Sequence, residues 1–396
     1  MTETVHPNLD ITAAAVVASG AQLYPVGNRV SAVDKIKLHP NELPVEAQKR
    51  TEILQDPGFG KYFTDNIVRA TWTKEGGWQQ AELGASDAQA GGFALNALHY
   101  GQSIFEGLKA YRHADGGVYL FRPEANALRF QRSAYRLALP PVPTDLFIGS
   151  IEALLRQDHE WVPEGREKSL YIRPLEFGSE DALGVRPSVH VTYVLMASPV
   201  GAYFPQGVKP VSVWISDDYV RAAPGGTGEA KCAGNYAASL IAQAEASTHG
   251  CDQVVWLDAI ERTYIEEMGG MNLFFIYGSG SDARIVTPEL TGTLLPGVTR
   301  DSLLTLATDL GIPVSEEKIS VQQWRDDCAS GAITEVFACG TAAVITPVGK
   351  VDSKSSGTWT IADGNPGEVT MKLRDALIDI QTGVAPDVHN WMHKVI

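Results

Sequence analysis

Residues 225–240 read GGTGEAKCAGNYAASL, and the meaning of Lys231 among these small residues decides which fold the chain can adopt. Glycine, alanine, threonine and cysteine are too small to hide a lysine, and no acid adjoins it. Most lysines sit on solvated faces among polar side chains, so this setting calls for a reason. The phosphate-loop pattern GxxxxGK[ST] fails here, because Ala230 stands where the second glycine belongs and Cys232 where the magnesium-binding hydroxyl belongs. GSGSDA at 278–283 imitates the dinucleotide fingerprint GxGxxA after the strand-like NLFFIYG. It runs into a second strand-like segment, ARIVTP, rather than a helix, so it reads as a hairpin turn. Neither nucleotide-binding signature holds, and what remains is a lysine on a loop that feeds a helix.

Outward from the loop, VSVWIS precedes it as a strand and YAASLIAQAEASTHG follows as a helix closed by Gly250. QVVWLD, TYIEE, NLFFIYG and ARIVTP then read as strands. PGVTRDSLLTLATDLG reads as a helix with Thr299 as N-cap and Gly311 just past its end. In the first half, ANALRFQRSAYRLAL has Leu128, Ala134, Tyr135 and Leu137 near one helical face, DLFIGSIEALLRQDHEW is a second helix, and SLYIRPLEFG and HVTYVLMAS are strands. Strands in succession, not alternating one for one with helices, predict an α+β fold in two lobes. The proline- and glycine-dense PVGAYFPQGVKP suits a connector. The expected division is an N-terminal extension over 1–55, a smaller domain over 56–198, a connector over 199–210 and a larger domain over 211–396.

The 396 residues are 44% hydrophobic and 20% charged, within the range of a soluble globular chain. A formal net charge of −15 with no Lys/Arg-rich block offers no electrostatic footprint for nucleic acid or anionic membrane. Cys232, Cys251, Cys328 and Cys339 form no CxxC or Cys/His cluster, so neither a metal site nor a disulfide framework is expected. The apolar ITAAAVVASGAQL follows Glu3 and Asp10 with no Lys or Arg, and is too short to span a bilayer. A cytoplasmic protein acting on small molecules is expected.

A run of blocks from Phe59 to the C-terminus carries a family resemblance: FGKYFTDN, HYGQSIFEGLKAYR, LFRPEANALRFQRSA, LYIRPLEFG, GVRP, SPVGAYF, AKCAGNYAASL, YIEEMGGMNLFF, LLPGVTRDSLL and FACGTAAVITPV. In these blocks and their order the chain resembles the branched-chain amino acid aminotransferases, pyridoxal-phosphate enzymes of fold type IV with the cofactor at the domain interface. The resemblance implies that Lys231 is the lysine joined to pyridoxal 5′-phosphate, its small neighbours leaving room for a flat ring. Once released, the amine would move the proton between the substrate α-carbon and the cofactor. Glu267 would hold the pyridine nitrogen protonated so that the ring can accept electrons. Glu266 beside it, pointing to the opposite face, reads as an exposed hairpin acid. Tyr236 would bond the cofactor's phenolate oxygen. Arg129, the amides of Gly297, Val298 and Thr299 at a helix start, and those of Gly340 and Thr341 would hold the phosphate.

For substrate, the resemblance implies an apolar pocket from Phe59, Phe105, Tyr171, Val200 and Tyr203, with Tyr100, Leu183 and Val185 supplied by the partner subunit of a homodimer with shared sites. Amides of Ala342 and Ala343, with the Tyr100 hydroxyl, would take the α-carboxylate, and Arg173 the side-chain carboxylate of glutamate or 2-oxoglutarate. One methylene is worth only about 1–3 kcal/mol in such a pocket, so leucine, isoleucine and valine are all expected to be accepted. Two departures matter. Ala343 and Thr346 stand where the mammalian members carry a CxxC pair, and Val200 stands where some bacterial members carry tryptophan. D-amino-acid aminotransferase and aminodeoxychorismate lyase share the fold and are the near alternatives.

Overall fold

In the computed structural model, residues 31–85, 92–201 and 207–396 are described. Tyr203, much of the expected connector and the ITAAAVVASGAQL stretch lie outside them.

The first lobe is a sheet whose strands run in the order Lys37–Leu38, Glu82–Ala85, Asn66–Thr73, His190–Val200, Ser169–Gly178, Leu108–Arg112, Val118–Phe121 and Met392–Lys394. Ser169–Gly178 and His190–Val200 are antiparallel along their whole length, and Ser103–Phe105 pairs with the former as a short side strand. Helices Pro123–Arg136 and Thr144–Gln157 cover one face, where Phe130, Phe147, Ile151 and Leu154 are buried against Leu108, Ala110, Leu170 and Ile172. On the first of these helices Ala134 is buried, but Tyr135 is 65% exposed, one position beyond the inward face assigned to it. The last strand comes from the far end of the chain, and Lys37–Leu38 adds the opposite edge in parallel with Glu82–Ala85. Two pieces therefore sit in this sheet that the sequence reading placed in the larger domain and in the extension.

In the second lobe, Val211–Ile215, Gln253–Leu257, Ile265–Met268, Met271–Tyr277, Ile333–Gly340 and Val344–Ser353 pair in a closed ring, since Val344–Ser353 returns to Val211–Ile215. A closed ring leaves no free edges among these strands. Leu273 and Phe275 point to one side, against Val213, Val255, Val336 and Trp324. Phe274 and Ile276 point to the other, against Phe337, Leu303, Leu306 and Leu373. Both faces of Met271–Tyr277 are thus packed, which explains why LFFIY after Asn272 is a continuous apolar run rather than an alternating one.

GSGSDA is a hairpin connection, as read: Met271–Tyr277 and Arg284–Thr287 are antiparallel on either side of it. The helix opening at LLPG spans Val298–Asp309 with Gly297 as its N-cap, not Thr299, and ends before Gly311 at φ +72°. Mixed strands and helices in two lobes give the α+β class expected.

Candidate active site

Lys231 lies where the lobes meet, on the loop ahead of helix Ala233–Thr248. Its main chain is tied to the first lobe: the Phe105 amide donates to the Lys231 carbonyl at 3.0 Å, and the Lys231 amide donates to Ser133 Oγ at 2.9 Å. Asn235 holds the loop from inside, donating to the Thr227 and Ala230 carbonyls at 2.8 Å each and accepting from the Thr227 hydroxyl. The first helical turn then brings Tyr236 back over the lysine, and Lys231 Nζ donates to Tyr236 Oη at 2.9 Å. Nζ lies 5.0 Å from the Phe105 ring centroid, and Phe105 and Tyr236 pack at 4.9 Å.

Glu267 stands in strand Ile265–Met268, only 1% exposed. Oε1 accepts from the Leu295 amide at 2.5 Å, and Oε2 lies 3.0 Å from Arg221 Nε in a buried ion pair. Burial raises the Glu267 carboxyl above the ordinary range, with the Arg221 guanidinium opposing the rise. Glu266 is not the exposed acid expected. It is 4% exposed, accepts a hydrogen bond from the Thr293 hydroxyl, and is also pushed upward by burial. The alternation of faces holds, but in a closed ring the second face is packed as well.

Asn272 joins Glu267 to the next feature. It pairs with Glu267 across the hairpin and donates to the Leu295 carbonyl at 3.0 Å, fixing the loop before helix Val298–Asp309. A Cβ on Gly297 would lie 2.2 Å from Asn272 Oδ1, so only glycine fits this approach. The helix start leaves its first amides without intrahelical partners, and their dipoles favour an anion. Arg129 reaches the same end of the cavity and is 4% exposed. Its Nε and Nη2 donate to Glu106 Oε1 and Oε2 at 2.7 and 2.9 Å, and Nη1 to the Pro296 carbonyl at 3.2 Å. Burial alone would raise the Glu106 carboxyl, and Arg129 overrides it and holds it below the ordinary range.

The cavity, about 220 Å³, is completed by Gly340, Thr341, Ala342 and Ala343 at the tip of the hairpin between Ile333–Gly340 and Val344–Ser353, and by aromatic groups from the first lobe. Tyr171 and Arg173 share one face of their strand. Tyr171 packs edge-on against Phe59 at 5.1 Å, and the Arg173 guanidinium sits 4.6 Å from the Phe105 ring and donates to Tyr171 Oη at 2.9 Å. A Cβ on Gly107 would fall 2.1 Å from that hydroxyl, which is why the residue after Glu106 has no side chain.

The structure therefore brings together Lys231, Tyr236, Arg129, Gly297, Val298, Thr299, Gly340 and Thr341 with Phe59, Phe105, Tyr171, Arg173, Ala342 and Ala343 around one cavity. Glu267 lies just behind it. Val200 is buried but does not line it, and Tyr100, Leu183 and Val185 are exposed, with Tyr100 Oη donating to the Leu183 carbonyl. Glu106 and Arg221, the ionic partners of Arg129 and Glu267, and Asn272 were not singled out from sequence. Glu106 lies 23 residues from Arg129, and Asn272 lies 23 from Leu295, with no periodicity or motif linking either pair. Arg221 is farther still from Glu267 along the chain.

The family described as amino-transferase class IV matches residues 103–351. A branched-chain-amino-acid aminotransferase of Mycolicibacterium smegmatis is 59% identical over 357 residues, covering 90% of this chain and 96% of that protein. The branched-chain amino acid aminotransferase of Escherichia coli superposes with a TM-score of 0.66 at 31% identity, over 83% of this chain and 99% of that one. A T.th. branched-chain amino acid aminotransferase complexed with N-(5′-phosphopyridoxyl)-L-glutamate gives 0.65 at 30% identity, over 83% of this chain and 98% of that one. With a family match across more than half its length and a relative this similar end to end, the chain belongs to the class IV aminotransferases, among the branched-chain-amino-acid aminotransferases.

Proposed function

We propose that this cavity moves the amino group of L-leucine, L-isoleucine or L-valine to 2-oxoglutarate, reversibly and in two half-reactions, with pyridoxal 5′-phosphate as resident cofactor. The observation that carries the reading is the Lys231–Tyr236 pair, 2.9 Å apart, between an anion-binding helix start and a buried carboxylate. The residues suit the cofactor: a glycine whose Cβ would collide at Gly297, an arginine at the same end, and an acid behind the floor. Bound there, pyridoxal 5′-phosphate supplies an aldehyde carbon and a ring that withdraws electrons from the substrate α-carbon.

The chain's own groups then divide the work. Arg129 with the amides of Val298, Thr299 and Thr341 binds the phosphate. Glu267, whose ionised form the Arg221 guanidinium favours against burial, would hold a proton on the ring nitrogen. Lys231 Nζ takes the proton from the substrate α-carbon, and Tyr236 Oη steadies the amine while it does so. Amides at Ala342 and Ala343 take the α-carboxylate, Phe59, Phe105 and Tyr171 give the side chain an apolar surface, and Arg173 receives the second carboxylate of glutamate. The complex of the T.th. relative with a phosphopyridoxyl-glutamate adduct supports that acceptor.

A homodimer with shared sites fits the surface. Helix Ala233–Thr248 buries only Asn235, Ala242 and Ala246 and leaves Leu240 and Ile241 exposed, and Leu183 and Val185 stand exposed with Tyr100. Apolar groups in such number on an outer face mark an interface.

The test is direct. Purified protein carrying the cofactor has a visible absorption band that shifts on adding L-leucine, and Lys231→Ala abolishes both the band and the reaction. With 2-oxoglutarate as acceptor, turnover of D-alanine without turnover of L-leucine refutes the assignment.

A further inference from the structure

Lys109 sits in strand Leu108–Arg112, opposite Tyr171 in the neighbouring strand, and is buried. Among the described residues no carboxylate lies within 4 Å of its ammonium. Nζ instead crosses between the lobes and donates to the Ala342 carbonyl at 2.9 Å. Ala342 is at the tip of the hairpin that lines the cavity, and Val344, which closes this tip, has φ +61°, a conformation costly for a β-branched residue. A tip bent in this way needs an external hold.

The direction of that hold has a consequence. In a trans peptide the carbonyl and the following amide point in opposite directions. Drawing the Ala342 carbonyl onto Lys109 therefore turns the Ala343 N–H away from Lys109, toward the cavity that Ala343 lines. We propose that Lys109 is a positioning residue for the substrate α-carboxylate: it grips the tip from the opposite lobe so that the Ala343 amide faces the carboxylate, without itself touching substrate. The inference rests on the aminotransferase reading above.

Charge strengthens the grip, since an ammonium donates a stronger hydrogen bond than an amine. Burial brings Lys109 down to about 8; Arg374, on helix Glu368–Gln381, pushes the same way, and Glu167, paired with Arg374 at 2.8 Å, opposes. The other titratable groups beside it among the described residues are the Tyr171 hydroxyl across the sheet and the Tyr111 hydroxyl, the latter kept protonated by burial. The hold is therefore strongest well below pH 8 and weakens as pH rises through it.

The test compares holoenzyme of the native chain, Lys109→Met and Lys109→Arg, using two probes that each carry half of leucine. 4-Methylvalerate keeps the carboxylate and lacks the amine, and 3-methylbutylamine keeps the amine and lacks the carboxylate. Losing a hydrogen bond to a charged group should weaken 4-methylvalerate binding by about 10- to 100-fold in Lys109→Met, with the 3-methylbutylamine half-reaction slowed by less than about threefold and Lys109→Arg recovering most of the loss. Equal losses with both probes, or unchanged 4-methylvalerate affinity, overturn the proposal. A readout independent of turnover is the pH profile of 4-methylvalerate affinity: the native holoenzyme should lose affinity as pH rises through about 8 while Lys109→Arg, whose charge does not titrate there, keeps it. Parallel profiles overturn the proposal even if Lys109→Met does not fold. A native protein that takes up no cofactor and ignores leucine refutes the aminotransferase reading, whereas an active native protein with an indifferent Lys109→Met refutes only this inference.

Discussion

Replacing Arg221 by methionine removes the cation facing Glu267 while keeping an unbranched side chain of similar reach. In the native chain the guanidinium lies 3.0 Å from a carboxylate that is 1% exposed, and also donates to the Thr293 carbonyl. Breaking a buried pair from one side costs about 3–5 kcal/mol if the remaining charge persists. Glu267 has a cheaper response, which is to take up a proton. Its carboxyl is already raised by burial, and losing Arg221 raises it further. A carboxyl whose folded-state value exceeds its unfolded value binds more protons when folded, so its contribution to stability falls as pH rises between the two values, by at most about 1.4 kcal/mol per pH unit. The gap in melting temperature between native protein and Arg221→Met should therefore be smallest at low pH, where Glu267 carries a proton in both, and widen as pH rises. Activity should fall more than stability, because a neutral Glu267 no longer holds a proton on the ring nitrogen. Loss of one preorganised electrostatic contact costs about 10²–10³ in kcat. The double variant Arg221→Met with Glu267→Gln, having no buried charge left, should recover most of the stability at pH 7 and none of the activity. Thermal unfolding from pH 5 to 8 and leucine turnover measure both. A pH-independent gap, or a double variant less stable than Arg221→Met, would show that Arg221 serves packing rather than the charge on Glu267.

Glu106→Gln should weaken cofactor retention by about tenfold or more, because Arg129 loses one of the two acceptors that aim it and the negative charge behind the other; equilibrium dialysis of the cofactor measures this, and unchanged retention would mean that Arg129 needs no such aiming. In Gly297→Ala the new methyl collides with Asn272, so cofactor affinity should drop while the cofactor-free protein loses only about 1–3 kcal/mol, the usual cost of overpacking, as followed by spectral titration alongside denaturation. Leu240→Glu combined with Ile241→Glu places charge on the exposed apolar helix face, and sedimentation should show a monomer that has also lost activity; an active monomer removes the argument for shared sites.

Local patterns carried most of what was readable in advance. The continuous LFFIY run, the GSGSDA turn and the lysine loop each declare themselves within a dozen residues, because strand burial, positive φ and small side chains leave their mark on adjacent positions. What escaped is non-local. Nothing near residue 392 announces that Met392–Lys394 will pair with Val118–Phe121, since a three-residue edge strand has too short a pattern to register. The partners Arg221 and Glu106 are ordinary charged residues until folding brings them to Glu267 and Arg129. Glu266 was misjudged because alternation says which way a side chain points but not whether the far side is covered, and in a closed ring it is. Tyr135 shows the opposite error: it sits next to the buried Ala134 on the helix, yet one residue of rotation turns it out to solvent.

The main-chain bonds that tie Lys231 to Phe105 and Ser133 join the reactive residue to the lobe that does not carry it. A clamshell motion of the two halves would have to break both, and would carry the amine and Tyr236 together away from the Phe105 ring. Traffic into the chamber should therefore be governed by side chains swinging at its rim, with the frame around the amine staying still throughout turnover.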